Sequence, residues 1–265
     1  VKLLTLARDL QRRKGRERQH RFVAEGTRTV EGLLASGLPV TGVLVSASGL
    51  EDGRTAALVA QARDRGVQVL EVGDAELMGA ADTESPQGIL AVAPIPDHRL
   101  PTPMPPCARI LVLDALQDPG NVGTVIRTAA ALGVSATIAL PGTVDLWNAK
   151  VVRGSMGALF HHPVLAMSWE DCAAQLGLAA FVIMAADTDG VNIADLRPGQ
   201  VPDRVALVAS NEGAGLSAHL ASAVTQRVAI AMEPTVESLN VGVATGILLH
   251  ALREGQYRDV SAVSS

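Results

Sequence analysis

The chain has 265 residues, 48% of them hydrophobic and 18% charged, with a formal net charge of −5 at pH 7. That length supplies one large or two ordinary domains with ample core, and the overall charge taken alone argues against nucleic acid. Cys107 and Cys172 are too few for a disulfide framework and lack metal-ligand spacing, while no charged leader precedes an apolar run and no apolar stretch reaches spanning length; a soluble cytoplasmic protein with no membrane partner is expected. The charge is uneven, however. Residues 1–28 hold nine Lys or Arg against Asp9, Glu17 and Glu25, a net +6, and the remainder sums to −11. This pattern suits a basic arm on an otherwise acidic enzyme.

Residues 2–16 read as a helix with Arg12, Arg13, Lys14 and Arg16 as its basic face. Compensating acids are sparse there, which favours phosphate contact over a merely solvated surface. Phe22 to Gly26 leads into a helix ending near Gly37; a strand is expected at 40–45, a helix at 55–65, and strands at 67–72 and 87–93. Such alternation makes a small α/β module. Six prolines from Pro94 to Pro106, without apolar periodicity, mark a stiff extended linker. The expected organisation is a first module over 1–93, a linker over 94–107 and a second module over 108–265.

The second module opens with the buried, parallel-type strand Arg109-Ile-Leu-Val-Leu113, a loop over 114–120, and a helix over 121–133 closed by Gly133. Strands near 136–140, 180–185 and 204–209 alternate with helices around 148–156 and 169–176, giving a parallel sheet covered on both faces. The last stretch organises the module. Residues 228–232 read as a buried strand, Pro234 stops it, and a helix follows from about Val236. Its apolar residues, Leu239, Val241, Val243, Ile247, Leu248 and Leu252 among them, cover more than one face, which fits either a core helix or a homodimer seam.

Three places carry unusual polarity. Asn121 and Arg127, six residues apart on one helix, are expected to face roughly one quadrant; Asn211-Glu212-Gly213-Ala-Gly215-Leu216 follows a strand; Ser238 and Asn240 sit at a strand-to-helix junction. Any one alone fits a cap or a turn. Because all three follow strand ends of one parallel sheet, together they point to a single crevice. Residues 213–218 also fit G-x-G-x-x-A, but too little chain follows for a dinucleotide fold. His161, His162 and His219 have no carboxylate or thiol at ligand spacing, so no metal is expected.

Asn121-x-Gly123-x-x-x-Arg127-Thr128-Ala129, Asn211-Glu212-Gly213-x-Gly215-Leu216, and Ile230-x-Met232 with Ser238-Leu239-Asn240 resemble, in order, the three motifs of the SpoU (TrmH-type) RNA ribose 2′-O-methyltransferases of the SPOUT superfamily. The first module resembles that family's substrate-binding domain through Arg16 to Phe22, Glu25-Gly26 and Ser85-Pro86-Gln87-Gly88-Ile89. The resemblance implies an α/β chain in which a C-terminal parallel-sheet SPOUT domain with a trefoil knot follows a small N-terminal α/β RNA-binding domain, and which works as a homodimer. It implies S-adenosyl-L-methionine as cofactor, met by Ser210, Glu212, Gly213, Ile230, Met232, Ser238 and Leu239. Asn121, Arg127, Glu212, Ser238 and Asn240 are the implied reaction centre, and Arg12, Arg13, Lys14, Arg16, Arg18 and Arg127 the expected RNA contacts. The implied activity is 2′-O-methylation of a ribose, with 23S rRNA the favoured substrate; a tRNA ribose 2′-O-methyltransferase and a non-catalytic RNA-binding or ribosome-assembly protein of the same fold are the alternatives. A guanidinium stays protonated, so Arg127 is expected to fix phosphate and stabilise developing charge while Glu212, water or the phosphate takes the proton. Ser210 stands where the family usually has Gly, and Ala231 where it has Pro.

Overall fold

Leu3, Leu4, Ala7 and Leu10 recur at helical spacing, and in the computed structural model they form the buried stripe of helix α1 (Lys2–Leu10). The structure describes residues 2–197, 199–210 and 215–262. The single helix expected over 2–16 is broken: Arg12 is extended and caps a second helix, α2 (Arg13–Gln19). Two contacts fix the break. A Cβ on residue 15 would lie 2.1 Å from the Asp9 carbonyl oxygen, so only Gly15 lets the chain fold back this tightly. The Arg16 guanidinium then donates to the carbonyls of Leu10 at 2.7 Å and Gln11 at 3.0 Å, groups that the end of α1 leaves without helical partners.

Helix α1 covers a four-stranded sheet made of β1 (Arg21–Glu25), β2 (Gly42–Ser46), β3 (Val69–Val72) and β4 (Ile89–Pro94). The order is β1-β4-β2-β3, antiparallel at both β4 pairings and parallel between β2 and β3. The leucines of α1 meet Val23, Leu44, Leu90 and Val92. Helices α3 (Thr27–Ala35), α4 (Ala47–Leu50), α5 (Gly53–Asp64) and α6 (Asp74–Met78) complete the connections.

A second sheet contains β5 (Ala108–Asp114), β6 (Ala136–Ala139), β7 (Val164–Ala166), β8 (Val182–Asn192), β9 (Arg204–Ser210) and β10 (Gln226–Ala229) in the order β10-β8-β9-β5-β6-β7. Every pairing is parallel, and all seven residues of β5 are buried, as a strand covered on both faces must be. The helices that follow β4 are α7 (Pro119–Ala131), α8 (Ala149–Gly154), α9 (Trp169–Leu178), α10 (Ala218–Ala223) and α11 (Val241–Ala262). Cys172 and Leu176 of α9 pack on Ile110, Val112, Ile138 and Val208. Residues 95–107 carry neither helix nor strand. Leu100 and Met104 from this proline-rich stretch rest on the same core, and Arg204 donates to the carbonyls of Met104 and Pro105.

Contacts divide the chain into Val1–Asp97 with Asp145–His161, and His98–Val144 with His162–Ser265. The sequence reading drew one continuous module over 108–265; the contacts return Asp145–His161, which the chain reaches between β6 and β7, to the first unit. There Asp145 accepts from Arg16 Nε at 2.6 Å, and the rings of Trp147 and Phe160 lie 4.6 and 5.8 Å from that of Phe22.

The C-terminal stretch also differs from its expected form. The strand ends at Ala229 rather than Met232, and the helix begins at Val241 rather than near Val236. Beyond Ala229, which pairs with Asn192, the chain leaves the sheet, and Asn240 supplies the cap that lets a helix begin. Among the described residues no helix is long and apolar enough to cross a membrane.

Candidate active site

Helix α7 starts where it does because Asp118 accepts from the Asn121 N–H at 2.7 Å and Pro119 takes a first-turn position that needs no N–H donor. Helix α11 starts because Asn240 Oδ1 accepts from the N–H groups of Gly242 at 2.9 Å and Val243 at 3.4 Å. That cap fixes the orientation of the Asn240 amide, whose Nδ2 donates to Asn121 Oδ1 at 2.9 Å. Two side chains that sequence spacing leaves 119 positions apart are thus joined, and with them the positive ends of a 13-residue and a 22-residue helix. Close packing permits the approach: Thr124 and Thr128 of α7 lie against Gly242 and Gly246 of α11.

Arg127 does not share the quadrant of Asn121. Helix α7 is continuous over both, so six residues separate them by about 120° around the axis and about 9 Å along it. Arg127 is exposed, and its side chain makes no hydrogen bond or ion pair among the described residues. Side chains of helices lean towards the N-terminus, which directs its guanidinium back towards the Asn121 end.

Beside the Asn pair, a cavity of about 480 Å³ opens at the carboxyl ends of β9 and β10 and against the first turns of α11. Of the expected cofactor residues, Ser210, Ile230, Met232, Ser238 and Leu239 line it. Glu212 and Gly213 lie outside the described residues. Gly215 and Leu216 continue the wall, held by Asp114, whose buried carboxylate accepts from the Ser217 N–H at 2.8 Å. Asp114 was not legible as a site residue; at the end of a buried strand it reads only as the start of a loop. Asp187 and Arg227 also line the cavity, and no motif or spacing in the sequence marks them.

The basic arm separates into kinds. Arg12 and Lys14 are exposed and unpaired among the described residues. Arg13 pairs with Glu17 at 2.8 Å and Arg18 with Asp9 at 2.8 Å, both on the surface. Arg16 departs from expectation: it is 4% exposed, its Nε is held by Asp145 and its Nη1 by two carbonyls, and that burial keeps it from a phosphate.

Among the described residues no group of three His, Cys, Asp or Glu side chains could hold a metal ion. His162 is buried and its Nε2 is 2.8 Å from Thr137 Oγ1; burial, reinforced by the charge on His98, lowers its pKa to about 4. This is a neutral core histidine.

Fold and cavity together define an α/β protein that takes a small organic ligand at the carboxyl ends of a parallel sheet. Comparison with known proteins gives the family. A model of the SpoU rRNA Methylase family matches residues 108–250, and a model of the MRM3-like substrate binding domain matches residues 4–91. The 23S rRNA (guanosine(2553)-2'-O)-methyltransferase RlmP of Bacillus subtilis is 32% identical over 92% of this chain and 93% of its own. An AdoMet-bound rRNA methyltransferase from Sinorhizobium meliloti superposes with a TM-score of 0.80 at 28% identity, covering 95% and 94% of the two chains. An RNA 2'-O ribose methyltransferase crystal structure gives 0.79 at 30% identity, covering 95% of each. The chain belongs to the SpoU rRNA methylase family.

Proposed function

We propose that this chain is an S-adenosyl-L-methionine-dependent methyltransferase that methylates a ribose 2′-hydroxyl of RNA, in 23S rRNA rather than tRNA. The observation that carries the proposal is the Asn240–Asn121 bond, which holds two helix N-termini together beside the cavity. A relative named for 2'-O-methylation of 23S rRNA aligns over nearly the whole chain, which supports the choice of RNA.

The residues fit the cofactor. A cavity of about 480 Å³ with mainly apolar walls and a few polar groups suits an adenosyl group, and Ser210 lines it without closing it. Ser238, Leu239 and the backbone of Ile230 and Met232 would hold that group, and Glu212 and Gly213 are the remaining residues assigned to it. S-adenosyl-L-methionine, when bound, supplies a sulfonium methyl that needs little beyond in-line placement about 3 Å from its acceptor.

The work of the protein lies on the RNA side. A ribose hydroxyl is a poor nucleophile at neutral pH, so its proton and the charge left on oxygen must be accommodated. With Asn121 Oδ1 occupied by Asn240, the Asn121 Nδ2 remains free to donate to that oxygen, and both helix N-termini favour negative charge there. Arg127 holds the adjoining phosphate through its guanidinium fork. Glu212, a water or the phosphate accepts the proton.

Arg12, Arg13, Lys14 and Arg18 form the RNA arm, without Arg16. Val243 and Ile247, 52% and 41% exposed one turn apart on α11, form with Val236 the seam of a homodimer. The trefoil knot of the superfamily is assigned to the C-terminal part of the chain, and the cytoplasm, where rRNA is modified, is the assigned location.

Incubation with 23S rRNA, tRNA and labelled S-adenosyl-L-methionine, followed by mapping of 2′-O-methyl riboses, tests the activity. One modified ribose in 23S rRNA, lost with Arg127→Ala, is expected. Methylation of tRNA alone would change the substrate, and cofactor binding without transfer to either RNA would leave a non-catalytic RNA-binding protein.

A further inference from the structure

The cavity of the second unit is lined mostly by Ala, Val, Leu, Ile and Met, and among the described residues two of its side chains carry charge: Asp187 and Arg227. They are paired, Arg227 Nη1 donating to Asp187 Oδ2. The backbone is built to put them there. Along the β8–β10 ladder Arg227 pairs with Ala185, but its neighbour Val228 pairs with Val191, so five residues of β8 loop out of register. Asp187 is the second residue of that excursion. Gly190 closes it against the backbone of the neighbouring strand, where a Cβ would lie 2.6 Å from Arg227 C and Val228 N. Asp187 is further fixed by the Asp189 N–H, which donates to Oδ1 at 3.1 Å. The Asp187 side chain is 21% exposed and that of Arg227 49%, so the carboxylate sits in the wall and the guanidinium at the rim.

The position of this pair in the sheet matters. In the order β10-β8-β9-β5, Arg227 and Asp187 stand on the two strands farthest from β5, after which Asn121 follows on α7. The reaction centre therefore adjoins one side of the sheet crevice and the charged pair the other. On the cofactor assignment made above, on which this inference rests, the ligand has an apolar-faced base, a ribose, a sulfonium and an α-amino acid end that carries one ammonium and one carboxylate. We propose that Asp187 and Arg227 are the subsite for that amino-acid end, Asp187 accepting hydrogen bonds from the ammonium and Arg227 donating to the carboxylate. Two charges of opposite sign, already side by side, match a zwitterion in sign and need no new charge to be buried. A ribose diol needs only an acceptor, and an adenine neither charge.

Calorimetric titration of the full chain with S-adenosylhomocysteine and with 5′-methylthioadenosine, which keeps base and ribose but has no amino-acid end, tests this. Asp187→Asn and Arg227→Gln are each expected to weaken S-adenosylhomocysteine by about tenfold to a hundredfold, the worth of one charged hydrogen bond, and to leave methylthioadenosine within about twofold. The exchanged pair Asp187→Lys with Arg227→Glu retains an ion pair, so a purely structural role predicts recovery of affinity; the subsite predicts that S-adenosylhomocysteine stays weak. Equal loss for both ligands, or no loss for either, overturns the proposal. If the unaltered chain binds neither ligand, the cofactor assignment itself fails, and the subsite with it.

Discussion

Arg16 and Arg127 are both helix arginines on a motif the sequence singles out, and the structure gives them opposite surroundings. Arg16 is closed in by Asp145 and the carbonyls at the end of α1, with the Phe22, Trp147 and Phe160 rings in the same unit. Arg127 lies exposed on α7 without a partner among the described residues. The same residue type thus ties a fold together in one unit and stands exposed, with no side-chain partner among the described residues, in the other. For these two the difference is burial: Arg16 is closed off among its partners, whereas Arg127 faces solvent.

The largest effects should separate these two roles. Arg16→Ala leaves the Asp145 carboxylate with the Trp147 N–H but no counter-charge from Arg16, and two helix-end carbonyls without the guanidinium, so about 3–5 kcal/mol of unfolding free energy should be lost in denaturant titrations. Arg127→Ala, on an exposed face, should stay within about 0.5 kcal/mol of the parent stability, yet lower kcat for ribose methylation by roughly a hundredfold to a thousandfold. A destabilised Arg127 variant, or a stable Arg16 variant with lost activity, would reverse the assignment.

His162 extends the contrast to pH. Its folded pKa of about 4 lies below the ordinary 6.5 because the buried imidazole resists charging. Below pH 6.5 the unfolded chain takes up a proton that the folded chain refuses, so stability is full above that pH and falls as pH drops towards 4. The loss should reach about 3 kcal/mol, and His162→Gln should flatten the profile between those limits in unfolding measured at pH 7 and pH 4.5.

Much of this was legible in the sequence, and the exceptions share a cause. The parallel sheet, the proline-rich stretch and the convergence of Asn121 with Asn240 follow from apolar runs, Pro spacing and strand-end position. The burial of Arg16 does not, because its partner Asp145 lies 129 residues away and approaches only after the chain leaves the second sheet. Asp187 is hidden for a similar reason: a register break between β8 and β10 puts it in the cavity, and strand alternation gives no sign of such a break. The start of α11 was misplaced because apolar residues 236 and 239 continue the helical pattern, whereas the cap at Asn240 decides it.

Asn240 combines both roles in one side chain, its oxygen used by α11 and its nitrogen by Asn121. Asn240→Asp keeps the capping oxygen but removes the donor, so stability should change by less than about 1 kcal/mol while methylation falls; Asn240→Ala loses the cap as well, about 0.5–2 kcal/mol.

The smallest effects test the same distinction on the arm. Arg12 and Lys14 have no partner among the described residues, while Arg13 and Arg18 already hold Glu17 and Asp9. An unpaired cation reaches a phosphate at the cost of its own hydration alone, whereas a paired one must first release its carboxylate, which then repels the RNA. Each phosphate contact contributes close to one unit to the slope of log affinity against log salt. Arg12→Gln with Lys14→Gln should therefore flatten that slope by nearly two, and Arg13→Gln with Arg18→Gln by less than half as much. Equal slopes for the two double variants would mean that surface ion pairs in α2 open freely on RNA, and that only burial, as at Arg16, removes an arginine from the interface.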